Sequence, residues 1–439
     1  MSFHRYPTYK DSGVSWLGDV PNHWDVQPLY GSVVERLESN KGMIENNLLS
    51  LSYGRIVSKD ISSNDGLLPE SFETYQVVKP GDIVFRLTDL QNDKRSLRSA
   101  IVEETGIITS AYLAVIPHGP HSKYLNYLFR AYDVTKVFYS MGGGLRQSMK
   151  FADLKRMPTL LPPLAEQTAI AAFLDLETEK IDALVAEQQR LIELLKEKRR
   201  AVISHAVTKG LNPDAVMKRS GVEWLGDLPA HWDVKPMRMI ANVVRGASPR
   251  PAGDPRYFGG DVMPWVTVAE ITKDDAVYLT ETESFLTQEG STHSNLFRSG
   301  TLIYSNSGAT LGVPKILLID ACANDGVVAF VNLNGQVQTE FLYHYLASIT
   351  DSIREKVRQG SGQPNLNTDI VKDLRFGLPS LDEQKLIVSR ISELANQFGA
   401  LTVEAQRAID LLQERRTALI SGAVTGQIDV RGLVESGPG

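Results

Sequence analysis

Residues 12–29 read SGVSWLGDVPNHWDVQPL and residues 220–237 read SGVEWLGDLPAHWDVKPM, agreeing at 13 of 18 positions with an offset of 208. A second pair extends the pattern. LPPLAEQTAI at 161–170 answers LPSLDEQKLI at 378–387, and ALVAEQQRLIELLKEKRRAVISHAVTKG at 183–210 answers ALTVEAQRAIDLLQERRTALISGAVTGQ at 400–427, now with an offset of 217. The chain is written twice, and the middle of the second copy is nine residues longer. A period above 200 residues excludes solenoids and propellers, whose units run to roughly 20–50 residues. Between the blocks only scattered matches survive: KPGDIVF at 79–85 against RSGTLIY at 298–304, YLNYLF at 124–129 against FLYHYL at 341–346, and GGG at 142–144 against GSG at 360–362. One fold is predicted to carry two different surfaces.

The stretch 165–208 places apolar residues on a seven-residue seam, Leu174, Ile181, Leu184, Leu191, Leu195 and Val202, as a helix requires. The second copy keeps an apolar residue at each of these places, Ile391, Phe398, Leu401, Ala408, Leu412 and Leu419. Pro162 and Pro163 precede the first helix; Pro379 and Ser380 precede the second, where Ser380 with Glu383 makes a capping-box pattern. Helices of about 44 residues would be roughly 66 Å long, and a seam of that length needs a partner. The other copy is the cheapest one, pairing antiparallel about a pseudo-two-fold axis. The alternative is that each helix packs only on its own domain.

The segments 30–158 and 238–375 read as α/β. Runs at Asp82–Phe85, Ile101–Val102, Ala111–Ile116, Leu302–Tyr304, Lys315–Ile319 and Val327–Val331 predict strands, and Lys123–Tyr139 and Glu340–Gln359 predict helices. The fold class expected is therefore α/β: two globular α/β domains related by internal duplication, separated by two long helices pairing as an antiparallel coiled coil. The boundaries follow the repeats: a first domain at 1–158 with its lead-in segment, a first spacer helix at 159–210, a second domain at 211–376, a second spacer helix at 377–427 and a tail at 428–439. Trp16, Trp24, Trp224 and Trp232 lie in the repeated lead-in block beside Pro21 and Pro229, where they staple an extended segment onto its domain; His23 and His231 read as turn or packing residues.

Composition narrows the class. A single cysteine, Cys322, can form neither an internal disulfide nor a CxxC metal site. The N-terminus MSFHRYPTYKDSG has no apolar core of a signal peptide, and no run reaches the 18 or so apolar residues of a membrane span, so a cytoplasmic location is expected. A formal charge of −6 argues against a lone, non-specific DNA binder. Local excesses nevertheless exist: +2 over 86–98, +3 over 141–156 and +2 over 245–257. The loops MGGGLRQSMK (141–150) and QGSGQPNLN (359–367) follow the predicted helices in both copies and combine backbone freedom with Arg, Gln, Asn and Lys. Such side chains suit a DNA groove, since Arg forks onto guanine and Gln or Asn onto adenine.

Catalytic signatures are missing. The only Pro-Pro pair, Pro162–Pro163, is followed by Leu164 rather than an aromatic residue, so there is no (Asp/Asn)-Pro-Pro-aromatic methyltransferase loop, and no GxxxxGK[ST] phosphate loop occurs. Paired carboxylates such as Asp274–Asp275 could hold magnesium for a nuclease, but acidic pairs on loops are usually solvated.

The succession of a WLG..P.HW lead-in, a variable segment with a GDI.F or GTLIY strand, a glycine loop, an LP.L.EQ helix start and a long helix closing in ISHAVTKG or ISGAVTG resembles the specificity subunit of type I restriction-modification systems. The resemblance spans nearly the whole chain, twice. It implies that the variable segments are target recognition domains, each reading half of a split asymmetric DNA site. It also implies that the repeated helices act as spacer and dock two methyltransferase subunits, which two motor-nuclease subunits join. This chain would itself be non-catalytic and bind no cofactor, with S-adenosylmethionine, ATP and magnesium held by its partners.

In the second copy RGASPRPAGDPRYFGGDVMPWVTVAEI (245–271), SNSGATLG (305–312) and the glycine loop are similar to the family pattern, which makes Arg245, Ser248, Arg250, Ser305, Asn306, Ser307, Gln363 and Asn365 DNA-facing candidates. The first copy opens differently, LLSLSYGRIVSKD (48–60), and has Leu145–Arg146 where the second has Gln363–Pro364. Its candidates are Tyr53, Arg55, Arg86, Arg95, Arg98, Arg146, Gln147 and Lys150. The competing reading is a non-catalytic scaffold whose two domains bind proteins, with the helix pair as a ruler.

Overall fold

The structure, a computed structural model, describes residues 3–60, 69, 71–88, 97–141, 149–222, 225–308, 310–358 and 366–433. It divides into two compact units, one formed by residues 1–189 with 406–439 and the other by residues 190–405.

In the first unit the lead-in hairpin pairs Tyr9–Asp11 with Asp19–Pro21, and Asp25–Pro28 pairs with Pro158–Leu161 at the other end of the variable segment. Between them β1 (Val33–Glu35), β2 (Leu48–Ser52), β3 (Arg55–Lys59), β4 (Gln76–Val78), β5 (Ile83–Phe85), β6 (Ser99–Ile101), β7 (Gly106–Ile108) and β8 (Leu113–Pro117) form two four-stranded sheets. Their orders are β3-β2-β7-β4 and β1-β8-β5-β6, with β2 and β7 parallel. The helix α1 (Ser122–Val134) and the long helix α2 (Leu164–Lys209) follow.

The second unit repeats this plan. Its strands are β9 (Asn242–Arg245), β10 (Phe258–Val266), β11 (Tyr278–Leu279), β12 (Phe285–Leu286), β13 (Leu296–Phe297), β14 (Leu302–Ser305), β15 (Pro314–Leu317), β16 (Ala321–Ala323) and β17 (Val327–Val331). The sheets run β12-β10-β16-β13 and β9-β17-β14-β15-β11, again with one parallel pair, β10 and β16, inside the first. Strand for strand this is the order of the first unit with β11 added, together with short helices at Val268–Thr272 and Gln288–Thr292. The helices α3 (Thr339–Arg358) and α4 (Leu381–Val424) follow; residues 190–209 of α2 fall in the second unit and residues 406–424 of α4 in the first. The duplication legible in the flanking blocks therefore extends through middles that share little sequence.

Period-two alternation explains the layers. On β17, Val328 and Phe330 join the core under α3, whereas Val327 and Ala329 join the core between the sheets. On β5, Ile83 and Phe85 likewise face α1 and Val84 faces the other way. A strand covered on both faces reads as a continuous apolar run, as these do.

Each long helix starts at a clamp that uses two separately repeated motifs. Trp24 is fully buried, and its indole N–H donates to Glu166 Oε1 at 3.1 Å while His23 Nε2 lies 2.8 Å from Glu166 Oε2. In the second copy Trp232 donates to Glu383 Oε1 at 3.0 Å and His231 Nε2 lies 2.9 Å from Oε2. The neighbouring glutamine ties the same turn to the variable domain. Gln167 accepts the His121 N–H at the start of α1 and donates to Pro162 O; Gln384 accepts the Gln338 N–H before α3 and donates to Pro379 O. Both histidines are thus packing partners of a glutamate, as the sequence indicates. Trp16 packs edge-on to Tyr132, its ring centroid 4.8 Å away, and Trp224 lies outside the described residues.

The helices pair antiparallel within each unit. In the first, Glu166 near the start of α2 and Gly426 just past the end of α4 both meet Trp24, and farther along Arg416 bonds to Asp182 at 3.1 Å. In the second, a Cβ on Gly210, just past α2, would lie 3.4 Å from Glu383 Oε1 near the start of α4. The seam itself departs from a strict heptad. Leu174, Ile181, Ile391 and Leu419 are buried, and Leu195, Val202, Phe398, Ala408 and Leu412 are half-buried, but Leu184, Leu191 and Leu401 are exposed. The better-covered line instead follows Ile170, Ile181, Ile192 and the half-buried Ile203 on α2, and Ile387, the half-buried Phe398, Ile409 and Ile420 on α4, all eleven residues apart. The reason is geometric: eleven residues span three turns at 3.67 per turn, nearer the helix's own 3.6 than the 3.5 of a heptad, so a heptad seam drifts onto the wet face.

Candidate nucleic-acid interface

In the second unit the segment after β9 is pressed against the turn between β16 and β17. Gly246 is required there, because a Cβ would overlap the carbonyls of Ala323 and Asn324. Its N–H donates to Val327 O at 2.8 Å and the Ala247 N–H to Ala323 O at 2.9 Å. The turn is closed locally by Asn324, whose Oδ1 accepts the Gly326 N–H at 3.1 Å. Asp325 at its tip gathers three of the candidate residues. The Ser248 hydroxyl donates to Oδ1 at 2.8 Å, Arg250 Nη2 lies 3.2 Å from Oδ2, and Arg245 Nε donates to the Asp325 carbonyl at 2.6 Å. The Ser248 hydrogen bond, then the nearby Arg250 and Arg245, hold the Asp325 carboxyl below the usual carboxylate range. Arg250 keeps 68% of its side chain exposed and Asp325 45%, so the cluster sits at the surface.

The 305–307 segment reaches the same turn through the backbone: the Asn306 N–H donates to Gly326 O at 2.9 Å and its carbonyl accepts the Leu366 N–H at 2.8 Å. Ser305 is a correction to the sequence reading. It is fully buried; its hydroxyl donates to Thr310 O and accepts the Val313 N–H, closing the loop rather than facing solvent. Asn306 is also buried, and among the described residues neither carboxamide atom has a partner. Ser307 is half-buried. Gln363 and Asn365 lie outside the described residues; the adjoining Asn367 caps a short helix by accepting the Ile370 N–H.

Among the described residues, the candidates of the first unit do not gather into one cluster. Tyr53 and Gly54 form a two-residue turn between β2 and β3, both at positive φ, the hairpin geometry that matches strand twist. Tyr53 is 75% exposed at the tip. Arg55 is exposed and 3.5 Å from Asp182. Beneath the turn Arg130 donates to Gly54 O at 2.6 Å, and burial pushes this guanidinium down to about 10, still charged at neutral pH. Arg98 is the second correction: it is fully buried, donating to Thr88 O at 3.0 Å and to the Tyr139 hydroxyl at 3.3 Å, so it holds the core together. Arg86 is half-buried on the strand end, with its N–H donating to Arg98 O. Lys150 is exposed, and its N–H is capped by Asp153. Arg95, Arg146 and Gln147 lie outside the described residues.

Sequence reasoning missed Asp325, the hub of the second cluster. A search for cationic and amide donors passes over an acid, yet Asn324-Asp325-Gly326 between two apolar runs is a turn signature placed opposite the basic 245–250 stretch.

Comparison with known proteins bears on this geometry. A family model described as the type I restriction modification DNA specificity domain matches residues 229–409. The type I restriction enzyme MjaX specificity subunit of Methanocaldococcus jannaschii is 20% identical over 98% of this chain and 99% of its own length. The chain is similar to type I restriction-modification specificity subunits over nearly its whole length. A further relative, the EcoDI specificity subunit of Escherichia coli, is 20% identical over 89% of this chain and 88% of its own. Among solved structures, the HsdS subunit from Thermoanaerobacter tengcongensis matches with a TM-score of 0.54 at 16% identity, over 93% of this chain and 98% of that one. A chain from a structure described as the basis of complex assembly and conformational transition of the type I R-M system matches with a TM-score of 0.65 at 17% identity, over 92% of this chain and 98% of that one. Among the described residues no helix is long and apolar enough to cross a membrane.

Proposed function

We propose that this chain is the specificity subunit of a type I restriction-modification system, that it reads a bipartite, asymmetric DNA site, one half with each variable domain, and that it docks two methyltransferase and two motor-nuclease subunits while performing no catalysis. S-adenosylmethionine, ATP and magnesium then belong to those partners. The observation that carries the reading is the contrast between frame and surface: strand orders and helix clamps coincide in the two units, whereas one loop set presents Asp325 with two arginines and the other presents an exposed Tyr53 and Arg55. Two copies of one frame with unlike contact chemistry suit a site whose halves differ. The negative formal charge makes partner subunits the source of much of the phosphate attraction.

The test is selection from duplexes that carry two randomised tracts separated by variable gaps, using the chain assembled with its methyltransferase subunit. Two unlike short motifs at one fixed gap are expected, bound with an affinity that falls steeply with salt. Selection of one continuous motif, or of none, would contradict the proposal.

A further inference from the structure

We propose that Asp325 is a specificity-determining positioning residue: it touches no base itself and holds the Arg250 guanidinium, through an ion pair shared with Ser248, in the orientation that reads one half-site. The inference rests on the DNA-reading function above.

The carboxylate is not needed to build its own turn. Asn324 closes that turn, and the lead-in from β9 is held by backbone bonds at Gly246 and Ala247. What the carboxylate does is join side chains 75 and 77 positions away in sequence, at the protein surface. Ser248 also receives the Asp325 N–H at 3.3 Å, so serine and aspartate fix each other before arginine is added. An arginine carries five N–H donors in a rigid fork. Among the described residues, Arg250 commits only Nη2 to Asp325 and Arg245 only Nε, which leaves free donors on each guanidinium for the paired acceptors of guanine, O6 and N7. An exposed arginine without such a buttress samples many rotamers and must be ordered on binding. A bare carboxylate there would repel phosphate; flanked by two guanidiniums it does not. Among the described residues, the hairpin tip of the first unit has no such pairing: Arg55 instead reaches Asp182 on the long helix. The device is therefore expected in one half-site.

The experiment uses the chain assembled with its methyltransferase subunit and duplexes randomised in both halves. Asp325→Asn keeps an oxygen for the Ser248 hydroxyl but removes the charge that holds Arg250. It is expected to weaken selection about tenfold at one or two positions of a single half-site, leaving the other half and the gap unchanged. Arg250→Ala should weaken the same positions, and the double variant should be no worse than either single one, because both remove one unit. Arg250→Lys, which disturbs no packed atom, gives the same reading if Asp325→Asn fails to assemble. Unchanged selection, equal loss in both halves, or simple additivity of the two substitutions would overturn the proposal. A wild-type complex that selects no sequence would instead overturn the DNA-reading function, and this inference with it.

Discussion

Trp232 donates its indole N–H to Glu383 at 3.0 Å, joining the lead-in segment to the first turn of a long helix 151 residues away. Trp24 and Glu166 make the same bond in the other copy. The two most recognisable motifs of the sequence, HW and EQ, are thus halves of one joint. Replacing Glu383 with Ala strands a buried donor, at a cost of about 2 kcal/mol, while Glu383→Gln retains an oxygen acceptor and loses less. Thermal unfolding followed by tryptophan fluorescence should rank wild type above Glu383→Gln and Glu383→Ala lowest.

The glycines that end the helices are predicted to be unequal. Gly210 and Gly426 both lie at positive φ, near 75°, but a Cβ on Gly210 meets only ordinary contacts, whereas on Gly426 it would overlap the Pro21 ring. Gly210→Ala should therefore cost only the backbone penalty of about 1–2 kcal/mol. Gly426→Ala adds overpacking of roughly 1–3 kcal/mol, and the difference is read as a lower melting temperature for the second variant.

The long helices differ at one matched pair. Arg416 bonds to Asp182 in the first unit, but at the equivalent places in the second stand Arg199 and Gly399, and a Cβ on Gly399 would meet nothing within 4 Å. Gly399→Asp supplies the missing carboxylate and removes a poor helix former, worth a few tenths of a kcal/mol. Its expected outcome is a small rise in melting temperature that Arg199→Ala partly cancels.

His344 supplies a pH dependence. Burial, with the Arg199 charge adding to it, pulls this imidazole down from 6.5 to about 4. The folded state keeps it neutral while the unfolded chain takes up a proton below its ordinary value, so this contribution is complete above pH 6.5 and lost as pH falls toward 4. Denaturant midpoints between pH 7 and 4.5 should fall more steeply for wild type than for His344→Gln. Parallel curves would show that the imidazole is solvated.

Much of this architecture was legible because duplication acts as an internal alignment. Helix starts at Leu164 and Leu381 follow from Pro162–Pro163 and Pro379–Ser380, and the runs at 83–85, 302–304 and 327–331 are strands because both faces are covered. The seam was half legible: Leu174, Ile181, Ile391 and Leu419 are buried, but heptad counting placed Leu184, Leu191 and Leu401 inside, since seven- and eleven-residue spacings agree over two turns and diverge later. Individual site residues were least legible. Arg98 and Ser305 have the right chemistry for DNA but spend it on Thr88, Thr310 and Val313, and only tertiary contacts separate them from Arg250.

The central proposal, two unlike readers on one repeated frame, is tested most directly by exchanging residues 238–375 for the matching segment of a type I specificity subunit and sequencing the DNA motif that the assembled complex methylates. The account predicts that one half of the motif changes while the other half and the gap persist. A change in both halves, or in neither, would contradict it.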